Sequence, residues 1–147
     1  MSFFDAINVA ASGLTAQRLR MDVTAENLAN AQTTRGSNGQ PYQRQEVVLQ
    51  QVGDGGFGAT LAGAVGSGSG APGGVQVAGI VADPTPDKLV YDPGHPDANA
   101  QGYVSMPNVN PVTEMVDLIS ESRSYEADVT AMQTAKQMYA KTLDLLK

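Results

Sequence analysis

Chemistry in this chain would have to start at His95, its single histidine, with Asp92 and Asp97 beside it in the run DPGHPDA. A metal site needs three or more convergent ligands, and a general base needs a nucleophile or a substrate pocket within reach. One imidazole between Pro93 and Pro96 offers neither, and a turn residue is the simpler reading. Asp83, Asp87, Asp92 and Asp97 are strung along the same region. A calcium loop would need closer spacing and a terminal glutamate, so these acids read as solvated surface. The glycine-rich run GSGSGAPGG at 66–74 lacks a following Lys-Ser/Thr and opens no helix, so it is no phosphate loop. With no cysteine, thiolate chemistry and disulfide staples are excluded. The sequence therefore predicts no enzyme, no cofactor and no small-molecule substrate.

What is well specified is helical. From Met115 a seven-residue repeat aligns Leu118, Tyr125, Met132, Tyr139 and Leu146, and a second line runs through Met115, Ser122, Val129, Lys136 and Leu143. Lines offset by three and four residues make one stripe along a helix, as in a coiled-coil seam. Asn110 suits the N-cap and Pro111 the first turn, where a missing N–H is harmless. A helix over 110–147 would reach about 55 Å, longer than a compact domain of this size needs.

At the other end, Phe3 to about Asn30 is a second helix, with Ile7, Leu14, Met21 and Leu28 at seven-residue intervals. Val9, Ala16 and Val23 form a further line about 200° around it. Near the end of the C-terminal helix, Ala131, Met138 and Leu145 likewise face away from the main seam. A single intramolecular partner covers one face only, so two helices with spare apolar faces predict assembly.

Between the helices the composition changes. All eight prolines and fifteen of sixteen glycines lie between Gly36 and Pro111. Tyr42 to Val52 reads as a strand, Val75 to Ala82 as another and Lys88 to Tyr91 as a short third, with a turn region over 92–103. The fold class is mainly α: an N-terminal helix over 1–32, a β- and loop-rich middle over 33–109 with a glycine-rich loop at 53–74, and a C-terminal helix over 110–147.

Net charge is −6, and no segment is basic, which argues against nucleic acid as a partner. No run approaches the roughly 18 apolar residues of a membrane span. The start, MSFFDAINVAASG, has neither the basic opening nor the apolar core of a Sec signal, so the protein would stay in the cytosol or leave by another route.

Four stretches resemble bacterial flagellar axial proteins, the rod, hook and hook-associated subunits. AENLANAQTT at 25–34 resembles their N-terminal signature. QPYQRQEVVLQ at 40–50, LVYDPGHPDANAQGYVSMPNVNPVTEM at 89–115 and SRSYEADVTAMQTAKQM at 122–138 are similar to the proximal rod subunits. The resemblance implies a structural subunit of the basal-body rod, its terminal helices paired as a coiled coil in the tube. Such a subunit would transmit torque and line the export channel. Implied partners are other copies of the chain, proximal and distal rod proteins, the adaptor at the rod base and the flagellar type III export apparatus. The implied location is the periplasmic rod of the basal body, reached without a cleaved Sec signal. Carried over by position, Asn27, Leu28, Ala29 and Asn30 match the N-terminal assembly motif, and Ser124, Tyr125, Glu126 and Ala127 the C-terminal one. The family usually has Asn where this chain has Asp128, and the run 53–73 matches none of its patterns. A cytosolic coiled-coil scaffold is the alternative; it would account for the heptads but not for the turn-rich middle.

Overall fold

The computed structural model describes residues 3–36, 38–52 and 73–144. Leu145, Leu146 and most of the glycine-rich loop lie outside the described residues. In order, the elements are α1 (Phe3–Ala29), β1 (Gln45–Gln51), β2 (Val75–Ala82), β3 (Lys88–Tyr91), β4 (Tyr103–Met106) and α2 (Pro111–Asp144). Two helices thus flank a small β-containing middle, as the sequence predicts. β4 is an addition to the strands that the sequence predicts: it starts at Tyr103, the last residue of the turn region at 92–103.

The helix ends follow local chemistry. Asn110 Oδ1 accepts from Val112 N at 3.1 Å, and Asn110 O accepts from Glu114 N at 3.0 Å, so Asn110 caps α2 with Pro111 in its first turn. At the end of α1, Asn30 Nδ2 turns back to Glu26 O at 3.0 Å and satisfies a last-turn carbonyl. β1 and β2 form one two-stranded sheet and β3 and β4 another. Val52 N donates to Gly74 O and Asp83 N to Arg44 O, so β1 and β2 run antiparallel. β3 and β4 are antiparallel with Leu89 opposite Ser105 and Tyr91 opposite Tyr103. A two-stranded sheet is marginal alone and needs a packed face.

The chain divides into two compact units. The first draws on residues 1–19, 48–79 and 121–147. Within it the Ser12 hydroxyl donates to Val9 O at 2.7 Å and accepts from Val75 N at 3.0 Å, tying α1 to the start of β2. An Asp128 carboxylate oxygen lies 3.0 Å from where a Cβ on Gly13 would stand. Glycine inside a helix costs about 1 kcal/mol relative to alanine; here it admits that close approach. Among the described residues, Ala16 and Glu121 are its most buried.

The second unit draws on residues 20–47 and 80–120. Val104, Val109 and Pro107 are buried in it, as are Val23, Thr24, Asn27 and Glu114. The β3–β4 connection is held by Asp92 Oδ1, accepting from Gly94 N, and by Asn99 Oδ1, accepting from Gln101 N and Tyr103 N. Gly102 takes φ +83°, and a Cβ there would meet Tyr91 Cε2 at 2.9 Å. Only glycine fits that corner.

Candidate assembly site: a buried polar knot in the second unit

Two polar side chains at the centre of this unit are almost sealed from solvent: Asn27 and Glu114, each 1% exposed. Burying an amide or a carboxylate is unfavourable unless its bonds are replaced. For Asn27 the replacement is complete. Its Nδ2 donates to Gln45 O at 2.9 Å and to Glu114 Oε2 at 3.1 Å. Its Oδ1 accepts from Tyr42 Oη and from Gln45 N, both at 2.9 Å. Two donors and two acceptors are the whole capacity of an asparagine amide.

The Glu114 carboxylate is matched by charge. Arg44 Nε donates to its Oε1 at 2.6 Å, while Oε2 takes the Asn27 bond. Arg44 also pairs with Glu46 through Nη1, and the same nitrogen lies 3.6 Å from Asp83 Oδ2. Burial pulls the Arg44 guanidinium down, but its bonds to Glu114 and Glu46 outweigh that and hold it above the usual value. Tyr42 is pushed up from near 10 to about 12, by burial first and then by the negative charges of Glu26 and Glu114. Asp83 is held low, chiefly by the hydroxyl and backbone N–H of Thr85 and less by Arg44. Asn108 extends the knot: its Oδ1 accepts from Arg44 N at 2.8 Å, and its Nδ2 donates to Thr85 O at 3.1 Å. Within one unit, then, the end of α1, the entry to β1, the exit of β2 and the first turn of α2 are joined by directional bonds.

Of the N-terminal motif, Asn27 is the centre of this knot. Leu28 and Asn30 are half-buried and Ala29 is exposed. In the first unit Ser124 and Tyr125 are half-buried, whereas Glu126 and Ala127 are exposed. Of the seam residues, Ile7, Leu14, Met21, Leu28, Leu118, Tyr125, Val129 and Met132 are half-buried. Met115, Tyr139 and Leu143 are exposed within the single chain. The most buried positions of α2 are Glu114 and Glu121, one residue ahead of Met115 and Ser122 and so about 100° around the helix. On α1 they lie on the Val9–Ala16–Val23 side. Reading hydrophobic spacing passed over Arg44, Tyr42, Asn108 and Glu114. The available signal was an acid in the first turn after Asn110-Pro111, which by itself suggests only a favourable helix dipole.

His95 Nδ1 accepts from Asp97 N at 3.1 Å, which makes it a turn-holding residue. Asp97 in turn accepts from the Thr34 hydroxyl at 2.9 Å and faces Arg35 at 3.5 Å. Among the described residues no group of three or more His, Cys, Asp or Glu could hold a metal ion. No described helix is long and apolar enough to cross a membrane.

Two regions of the chain match known families. Residues 7–35 match the family described as flagella basal body rod protein, and residues 100–145 the family described as flagellar basal body rod FlgEFG protein C-terminal. The flagellar basal-body rod protein FlgC of Bacillus subtilis (strain 168) is 50% identical over 151 residues, covering all of both chains. That of Escherichia coli O157:H7 is 46% identical, covering 99% of this chain and 98% of its own. That of Borreliella burgdorferi is 44% identical, covering 100% and 99%. These are structural proteins with no enzymatic activity, and at such identity over the full length this chain belongs to the FlgC family of flagellar basal-body rod proteins.

Proposed function

We propose that the two helices form the axial part of the assembled rod, pairing as a coiled coil in its tube wall, with the middle region 33–109 outside them. Membership of the FlgC family already makes the chain a structural subunit of the basal body that assembles with other rod and basal-body proteins; a cytosolic scaffold finds no support there. The finer reading has the helical segments 1–32 and 110–147 self-assembling to transmit torque and line the export channel. Its neighbours are further copies, the proximal and distal rod subunits and the adaptor at the rod base. The chain reaches the periplasmic space through the flagellar type III apparatus, keeping its N-terminus. In the motifs, Asn27 acts from inside by fixing the second unit, while Ala29, Glu126 and Ala127 are accessible to neighbours. The observation that carries this reading is that α2 runs 34 residues, yet leaves Met115, Met138, Tyr139 and Leu143 exposed. Large apolar side chains repeated along so long a helix need covering by another chain.

The test is a pair of substitutions on α2. Met132 is half-buried on the seam; Gln137 is exposed and about 140° around the helix from it. Burying an unpaired charge is strongly unfavourable, so Met132→Lys should permit synthesis but abolish incorporation into basal bodies and swimming. Gln137→Lys should be nearly neutral. Normal swimming with Met132→Lys together with loss in Gln137→Lys would mean that the seam lies on another face.

A further inference from the structure

The second unit bends its loops in one recurring way. Asn38, Asp83, Asp92, Asn99 and Asn110 each place a side-chain oxygen on the backbone N–H two residues on, at 2.9–3.1 Å. In such turns the side chain stands in for a backbone carbonyl. An amide oxygen has no proton to gain, and a carboxyl group keeps an accepting oxygen even when protonated. His95 makes the same turn, with Nδ1 accepting from Asp97 N at 3.1 Å. This acceptor is of a different kind, because a proton on Nδ1 turns it into a donor. Nothing beside it takes over: Pro96 has no N–H and a fixed φ, and Asp97 N has no other acceptor among the described residues.

We infer that His95 is a proton-operated latch between the β3–β4 connection and the segment that follows α1. In the closed state Nδ1 is bare, Nε2 carries the proton, and the turn fixes Asp97. The Asp97 carboxylate then accepts from the Thr34 hydroxyl at 2.9 Å and faces Arg35 at 3.5 Å. Proton uptake sets an N–H on Nδ1 against the N–H of Asp97, two donors facing each other. The turn loses its acceptor, and the imidazolium draws the Asp97 carboxylate, which swings toward it by rotation about its own Cα–Cβ bond. Thr34 and Arg35 are left without the group that held them.

The surroundings allow this exchange. His95 is half-buried, so water reaches the ring, and the Asp97 side chain is 23% exposed. The titratable groups around the imidazole are Asp92 and Asp97 on its own connection, Tyr91 and Tyr103 at the base of that connection, and Arg35 beyond Asp97. Asp92 Oδ1 is engaged by Gly94 N, which leaves Asp97 as the carboxylate that moves. Histidine is the side chain whose charge ordinarily changes between about pH 5 and 8, so mild acid is the signal that this latch reads.

The test is NMR of the nitrogen-15-labelled full-length chain at about pH 7.5 and about pH 5, beside His95→Asn, which makes the same turn without taking up the proton. At the higher pH the ring nitrogens should report one tautomer with Nδ1 bare; a mixture of tautomers overturns the inference. At the lower pH the amides of Asp97 and Ala98, the latter held by His95 O, should exchange about fivefold faster than in His95→Asn, the worth of one hydrogen bond. At the higher pH the two chains should match. Intrinsic exchange changes with pH alike in both, so comparing them at one pH cancels it. The amides of Gly36 and Tyr42, held by Gln40 O and Thr33 O on either side of Thr34 and Arg35, should follow the turn. Asp97→Asn separates the two halves of the latch. It keeps an acceptor for Thr34 but offers the imidazolium no charge, so the amide at position 97 should still respond to acid while Gly36 and Tyr42 do not. Equal exchange in the native chain and His95→Asn at the lower pH overturns the latch, and so does a turn that opens without Gly36 and Tyr42 following.

Discussion

Replacing Asn27 with alanine removes four hydrogen bonds at once: to Gln45 O and Glu114, and from Tyr42 and Gln45 N. A neutral buried hydrogen bond contributes about 0.5–1.5 kcal/mol net, and one to an ionised group about 1.5–3. Three of the first kind and one of the second give about 3–7.5 kcal/mol. Water entering the space left by the amide would restore part of this, since a polar pocket of that size can hold one. A loss of about 3–5 kcal/mol is expected, large beside the 5–15 kcal/mol that holds a typical domain. Urea unfolding followed by far-ultraviolet circular dichroism would register it as a lower midpoint. Faster exchange of the Gln45 amide, whose acceptor is gone, would localise it. Asn27→Asp sharpens the test. It keeps the shape but loses both donors and sets a second carboxylate against Glu114, so its own pKa in the folded state should lie above the unfolded value near 4. With a raised folded pKa, the folded protein binds the extra proton more tightly. Its stability is then best below about pH 4 and declines as pH rises toward the folded pKa. Asn27→Asp should therefore be less damaging at pH 5 than at pH 8, a dependence that Asn27→Ala lacks. A loss under about 1 kcal/mol for Asn27→Ala, or identical pH profiles for the two variants, would refute the claim that this amide closes the knot.

Other consequences follow from the same unit. Arg44→Ala leaves Glu114 buried without its cation and should destabilise by about 3–5 kcal/mol; adding Glu114→Gln should recover a measurable part, read from a double-mutant cycle in urea. One of the five tyrosines should titrate near 12 by its absorbance at 295 nm, and Tyr42→Phe should remove that step. Because the folded pKa of Tyr42 is raised, its contribution is intact below pH 10 and is lost as pH climbs from about 10 to 12. Gly102→Ala forces a left-handed φ on a residue with a Cβ and crowds Tyr91, so thermal melting should show a loss of about 1–2 kcal/mol. Gly39, at φ +78° with no heavy atom within 4 Å of a Cβ, should lose less on the same change.

The helices and three of the four strands were legible because their signals are local. Val75–Ala82 and Lys88–Tyr91 carry β-branched and aromatic residues between turn formers, and Asn110-Pro111 announces a helix start. β4 was hidden because Tyr103–Met106 follows directly on the turn formers of 92–102 and exists as the antiparallel partner of β3, eleven residues back along the chain. The rotation of α2 was hidden for a different reason. Hydrophobic spacing treats acids as outward-facing, yet Glu114 is the most buried residue of its turn. What permits this is Arg44, 70 residues away, and Asn27, 87 residues away. No local window contains that compensation. The motif containing Asn27 was visible as a string, but its physical role became clear only when all four partners of the amide were in view.

The separations within the knot also impose an order in time. Asn27 finds Tyr42 and Gln45 within 18 residues, but its bond to Glu114 spans 87. Closing so long a loop requires chain entropy to be surrendered before the contact can form. A chain emerging N-terminus first therefore cannot lock this region until residue 114 of its 147 has arrived. Until then Arg44 has no Glu114 to hold, and the first turn that Asn110 caps does not yet exist. In a chain made N-terminus first, that delay acts as a timer: the segment stays open through most of synthesis and closes only once the last helix begins to appear.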